Sequence, residues 1–136
     1  MFRRRVPPAV AALPEAIRAR LLVTQQCRAG ERARTGSAYR AAGVVADLAP
    51  FFPDIAGRLA TAHLVVARAG ASTIAALECA GRPSILVPLP SAIDDHQNAN
   101  ARALAEADAA WVYPQLAFTP AALTERLAAL FSVPER

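Results

Sequence analysis

The stretch from residue 64 to residue 83 limits the fold more than any other in this chain. Leu64-Val65-Val66-Ala67 is a short apolar run, Arg68-Ala69-Gly70-Ala71-Ser72-Thr73 a Gly-containing turn, and residues 74–80 a helical run ended by Gly81-Arg82-Pro83. An apolar run without alternation suits a strand buried on both faces, as in a parallel sheet. Gly70 leaves room for a close backbone approach. Ser72 and Thr73 put hydroxyls where the helix begins, beside amides that have no partner inside the helix. That end carries partial positive charge and suits a phosphate. A plain capped helix would use the same residues, and the pattern alone does not separate the two.

The same strand-then-helix rhythm runs along the chain. Residues 6–21 read as a helix entered through Pro7 and Pro8, with Leu13, Ile17 and Leu21 at helical spacing and Pro14 marking a kink or a later start. Residues 21–27 read as a buried strand, 30–42 as a polar helix and 43–47 as a strand. A helix over 53–62 follows the Phe51-Phe52-Pro53-Asp54 turn. Residues 84–87 predict a strand closed by Pro88 and Pro90. The loop 91–95 then leads to a helix over 96–107, and 109–113 predict the last strand. Thr119-Pro120 opens a final helix over 121–131, and the tail 132–136 frays. Such alternation predicts an α/β fold, a parallel sheet with helices on both faces and its strand-to-helix loops along one edge. Ligands of these sheets gather at the carboxyl ends of the strands, where loops 47–53, 67–73 and 88–97 converge.

Composition narrows the function classes. The 136 residues are 54% hydrophobic, enough for one domain with a core and too apolar for disorder. No apolar run is long enough to cross a bilayer. Met1-Phe2-Arg3-Arg4-Arg5 imitates the charged start of an export signal, but Pro7, Pro8, Pro14 and Glu15 spoil the apolar core that would have to follow. These three arginines read as a solvated tail with at most a weak contact to anionic lipid. Cys27 and Cys79 lack metal-ligand spacing and read as reduced core thiols of a cytosolic protein. The formal charge of +4 would permit nucleic-acid binding, yet the arginines are scattered and aromatics are only 6% of the chain. No basic, aromatic-interleaved face emerges, so nucleic acid is not an expected partner.

Residues 65–73, the run Ala80-Gly81-Arg82-Pro83-Ser84-Ile85-Leu86-Val87-Pro88-Leu89-Pro90, and Asp94-Asp95-His96-Gln97-Asn98-Ala99-Asn100-Ala101 resemble a bacterial glycosyltransferase family. It is the lipid II synthase family, within glycosyltransferase family 28, and the likeness lies in its carboxyl-terminal half. Pro7-Pro8, Val23-Thr24-Gln25-Gln26-Cys27, Phe52-Pro53-Asp54 and Phe118-Thr119-Pro120 extend the likeness over nearly the whole chain. The resemblance implies the GT-B fold, in which two Rossmann-like domains face a cleft and the carboxyl-terminal one holds UDP-N-acetylglucosamine. It implies transfer of N-acetylglucosamine to undecaprenyl-pyrophosphoryl-N-acetylmuramyl-pentapeptide in peptidoglycan synthesis, in the cytoplasm or peripherally on the cytoplasmic face of the inner membrane. By the same resemblance the backbone at Phe52 meets the uracil, while Gly70, Ala71, Ser72 and Thr73 offer amides and a hydroxyl to the diphosphate. Gln97, with His96 and Asn100, reaches the sugar hydroxyls, and Arg68 either approaches phosphate or ties down its own loop. Amides at a helix start bind anions, and side-chain amides pair with vicinal hydroxyls. No cofactor or metal is expected, and no catalytic residue is expected on this chain.

Three departures from the family pattern accompany the likeness. Ala76 stands where the family carries a ribose-binding glutamate, and Glu78, about 200° further round a helix, does not replace it. Residues 1–136 read as a single partial UDP-sugar-binding domain, without the family's first strand and its Gly-rich loop. The amino-terminal acceptor domain is also outside the sequence, so the lipid-linked acceptor would bind only through that domain or a partner chain carrying it. Two alternatives to transfer therefore stand beside it: a non-catalytic remnant, or the donor-binding subunit of a two-chain glycosyltransferase. His63 reads as a packing residue at a helix–strand junction, and Asp94 and Asp95 as caps for the helix bearing His96.

Overall fold

A computed structural model describes residues 3–88, 96–106 and 110–131, which fall into two compact units, residues 1–52 with 119–136, and residues 53–118. In the first unit, helix α1 (Val6–Ala11) starts on Pro7 and Pro8, whose missing amides would be unpaired there in any case. The predicted single helix over 6–21 instead breaks, because Pro14, with φ −56° and ψ 146°, becomes the N-cap of a second short helix, α2 (Glu15–Arg18). Ala9, Val10, Leu13 and Ile17 keep one buried face through the break. Arg18 crosses it, donating from Nε to the Leu13 carbonyl at 2.9 Å and from Nη1 to that of Ala42. Helix α7 (Pro120–Phe131) packs on α1, burying Leu123 and Leu127, and Thr124 donates to the Ala9 carbonyl at 2.8 Å. The leading arginines are no loose tail, since Arg3–Arg5 form a 3-10 turn and Arg4 pairs with Glu31 at 3.3 Å.

Strand β1 (Leu22–Gln26) runs parallel to β2 (Val45–Ala49), with Leu22 beside Val45 and Gln26 beside Ala49. Helix α3 (Arg32–Ala41) makes the crossover and turns back at Gly43, whose φ of 72° is the left-handed conformation glycine tolerates. The strands are not buried on both faces as expected. Leu22 and Val45 are 71% and 66% exposed, because a two-stranded ladder offers too little neighbouring surface to cover both sides. Tyr39 of α3 is buried, and its hydroxyl donates to Gln25 Oε1 of β1.

Burial, and secondarily the nearby Cys27, push the Tyr39 hydroxyl well above its ordinary ionisation range. Unfolded tyrosine ionises near pH 10, so above that pH the folded state holds the extra proton. The Tyr39 contribution to stability should therefore be flat below about pH 10 and fall as pH rises further. Urea midpoints at about pH 8 and pH 10.5 check this, and Tyr39→Phe should flatten the alkaline limb while costing ~1 kcal/mol at neutral pH for the lost bond.

The second unit holds a three-stranded parallel sheet in the order β3 (Val65–Ala67), β4 (Ser84–Leu86), β5 (Ala110–Val112). Ala67, Leu86 and Val112 lie abreast at the carboxyl ends. Helices α4 (Ile55–Thr61), α5 (Ala71–Ala80) and α6 (His96–Glu106) accompany it. Asp54 is the N-cap residue of α4, and its exposed carboxylate accepts from Arg58 at 2.9 Å, which holds it below the usual carboxylate range. Helix α5 ends where the sequence predicts, on Gly81 with φ 64° and its amide on the Leu77 carbonyl. Ile74 and Leu77 of α5, Ala101 and Leu104 of α6, Ala69 and Leu86 form the core, with Val65, Ala67, Ala110 and Val112 packed at its margin. Cys27 is buried as expected, but Cys79 is exposed. It lies about 200° round α5 from Leu77, so the helix face that buries Leu77 turns Cys79 outward. His63, expected to pack, is also exposed.

Candidate functional site

The carboxyl edge of the three-stranded sheet gathers most of the residues the sequence singled out. As β3 ends, the chain passes through Arg68 and Ala69 to Gly70, the N-cap of α5. Ser72 and Thr73 are thus the second and third helical residues, one turn inside the position a capping hydroxyl would need. Glycine has no side-chain oxygen to offer the first-turn amides, and α5 presents its positive end at this edge. The glycine is not there for its backbone angles, since φ −65° and ψ 153° suit any residue. Nor does internal packing demand it: a Cβ there would come no nearer to a described atom than 4.0 Å, to Gln97 Nε2. Among the described residues, what glycine leaves is room beside the helix start.

Side chains from later in the chain fix this loop. Gln97 and Asn100 are three residues apart on α6 and share a face. The Ala69 amide donates to Gln97 Oε1 at 3.3 Å, and Asn100 Nδ2 donates to the Ala69 carbonyl at 3.0 Å. Arg68 bonds to the ends of the neighbouring strands. Its Nη1 donates to the carbonyls of Val87 and Pro88 at 3.2 and 3.3 Å, and its Nη2 to Gln115 Oε1 at 2.6 Å. One guanidinium thereby ties together the outgoing ends of β3, β4 and β5. It still supplies positive charge beside the start of α5.

Gly70, Ala71, Ser72, Thr73, Gln97, Asn100 and Arg68 are brought together, and His96 is the exposed first residue of α6. Phe52 lies in the first unit, where it is 8% exposed while its neighbour Phe51 is 70% exposed. Asp94 and Asp95, expected as caps, and the loop 91–95 lie outside the described residues, as does the tail 132–136. Gln115 was not foreseen. It follows Pro114 in a 3-10 turn after β5, and nothing in its local sequence links it to an arginine 47 residues earlier.

Residues 1–136 match the glycosyltransferase family 28 C-terminal domain. The chain belongs to this family. Among family 28 relatives, a protein of Granulibacter bethesdensis is 57% identical over 95% of this chain and 34% of its own length. One of Rhodospirillum centenum is 56% identical over 98% of this chain and 35% of its own length. Both are named UDP-N-acetylglucosamine--N-acetylmuramyl-(pentapeptide) pyrophosphoryl-undecaprenol N-acetylglucosamine transferase. The crystal structure of MurG from Acinetobacter baumannii superposes with a TM-score of 0.78 at 35% identity, covering 91% of this chain and 35% of that one. The chain therefore spans about a third of the length of the relatives it matches, and its fold is the Rossmann-like carboxyl-terminal half of a GT-B glycosyltransferase.

Proposed function

We propose that this chain is the donor-binding part of an N-acetylglucosaminyltransferase that makes lipid II from undecaprenyl-pyrophosphoryl-N-acetylmuramyl-pentapeptide. The observation that carries the reading is the open backbone cradle from Gly70 to Thr73, at the positive end of α5 and flanked by Arg68, Gln97 and Asn100. First-turn amides suit a diphosphate, and Gly70 lets it approach the backbone closely. As the glycosidic bond to the donor breaks, negative charge collects on the departing UDP. Fixed amide dipoles, with Arg68 behind them, are already oriented toward that charge, and this is how the chain would lower the barrier without a metal. In this reading Gln97 and His96 face the sugar. The acceptor binds outside this chain, on the amino-terminal domain or on a partner chain that carries it. Among the described residues no helix is long and apolar enough to span a membrane, which accords with work at the cytoplasmic surface of the lipid bilayer.

A second reading, a domain that folds but does not bind donor, is favoured by one observation. Ala76 occupies the turn after Thr73, where the family has a ribose-binding carboxylate. Calorimetric titration decides between the two. UDP-N-acetylglucosamine should bind with Kd below about 1 mM and be displaced by UDP. Gly70→Val should weaken both ligands about tenfold or more by filling the cradle, while unfolding free energy changes by less than about 1 kcal/mol. No heat of binding at millimolar donor would leave the non-binding domain as the reading.

A further inference from the structure

Ala69 is wholly buried, and among the described residues neither its amide nor its carbonyl has a backbone partner on a neighbouring strand. β3 has ended at Ala67, and the amide of Val87, just past β4, donates to the Ala67 carbonyl, two residues short of Ala69. A buried peptide group needs a partner. Both partners come from one face of α6, Gln97 accepting from the Ala69 amide and Asn100 donating to the Ala69 carbonyl. The pair acts as a strand neighbour would, reading donor and acceptor of one residue with two side-chain amides.

The next residue, Gly70, is the N-cap of α5, and its carbonyl accepts the Ile74 amide at 2.9 Å to start the helix. Any shift of Ala69 is passed to the first-turn amides through two peptide planes with few free torsions. We infer that Asn100 is a positioning residue for the diphosphate cradle, which fixes the direction of the α5 amides by holding the Ala69 carbonyl, and is not a ligand of the sugar. This rests on the donor-binding reading above. Its one geometric consequence separates it from a sugar contact. A group that sets the cradle affects every ligand carrying the diphosphate equally, whereas a group on the sugar affects only the sugar nucleotide.

Asn100→Leu keeps the side-chain size and removes the donor. In the full 136-residue chain it should weaken UDP and UDP-N-acetylglucosamine by the same factor, about tenfold. Loss confined to UDP-N-acetylglucosamine, or no loss for either, would overturn the assignment. Hydrogen exchange without ligand provides an arm that does not need binding. The Ala69 and Ile74 amides should exchange at least about tenfold faster in Asn100→Leu, with the ladder amides of Val65 and Val87 unchanged as proof that the second unit is folded. Unaltered exchange at Ala69 and Ile74 overturns the clamp. If the parent chain binds neither nucleotide, the donor-binding reading has failed, and the exchange result still decides whether Asn100 holds the loop.

Discussion

Leu86→Ala should cost about 2–5 kcal/mol of unfolding free energy. Leu86 is 0% exposed on the central strand of the three-stranded sheet, where it contributes to the cluster with Ile74, Leu77, Ala101 and Leu104. Its neighbours are held by helices on one side and by a sheet ladder on the other, so the cavity left by three missing carbons cannot readily collapse. Two of the cluster's members, Ala69 and Ala101, are too small to lean into the gap. The chain carries one tryptophan, Trp111, lying on β5 beside Ile85. Its fluorescence reports the second unit directly, and the urea midpoint of that signal is the measurement. A total stability of roughly 5–15 kcal/mol is usual for a domain, so the loss should shift the midpoint well outside error. Because Ala69 belongs to the same cluster, nucleotide binding should weaken as the Trp111 transition moves. A midpoint displaced by less than the equivalent of about 1 kcal/mol would mean that the cluster is not what holds this sheet together.

How far the sequence carried depended on how local each cause was. Strands β3 and β4 were legible because short apolar runs are bounded by Gly70, Gly81, Pro83 and Pro88, and such punctuation acts within a few residues. The end of α5 at Gly81 and the start of α7 at Pro120 were legible for the same reason. Pro14 announced a disturbance, but whether the helix kinked or restarted depended on the packing of Leu13 and Ile17. The exposure of Leu22 and Val45 was not legible. It depends on how many strands share the ladder, which the residues of β1 do not record. The site divides in the same way. A helix start following a glycine could be read directly, and Gly70 to Thr73 do begin α5. The hold of Gln97 and Asn100 on Ala69 could not, because it spans 28 and 31 residues. Polar side chains that tie loops together leave no periodic trace. They look in sequence like the ligand-binding groups the family resemblance makes of them.

Ala76→Glu should tighten UDP binding by roughly 1–3 kcal/mol, about 5- to 150-fold, the range for hydrogen bonds to a charged group. Thr73 and Ala76 are three residues apart on α5 and therefore share a face, and both are partly buried. A glutamate at 76 would stand one turn beyond the cradle, within reach of the ribose of a nucleotide whose diphosphate sits on the first-turn amides. The carboxylate that α5 does carry, the exposed Glu78, projects about 200° away and cannot bend to the same place. Alanine and glutamate differ little in helix propensity, so α5 should tolerate the change with its backbone intact. The carboxylate would be added six residues into the helix, past the turn where the dipole acts most strongly. Its effect should therefore come from the ribose hydroxyls and not from general electrostatics. The control is 2′,3′-dideoxy-UDP, which offers the same base and diphosphate but no hydroxyls for the carboxylate, and which should gain nothing. Equal tightening of both nucleotides would point to a changed helix start, and no tightening of UDP would mean that the ribose does not lie along the Thr73–Ala76 face. Tightening of UDP alone would locate the ribose on that face and, with it, fix the direction in which the nucleotide leaves the diphosphate cradle.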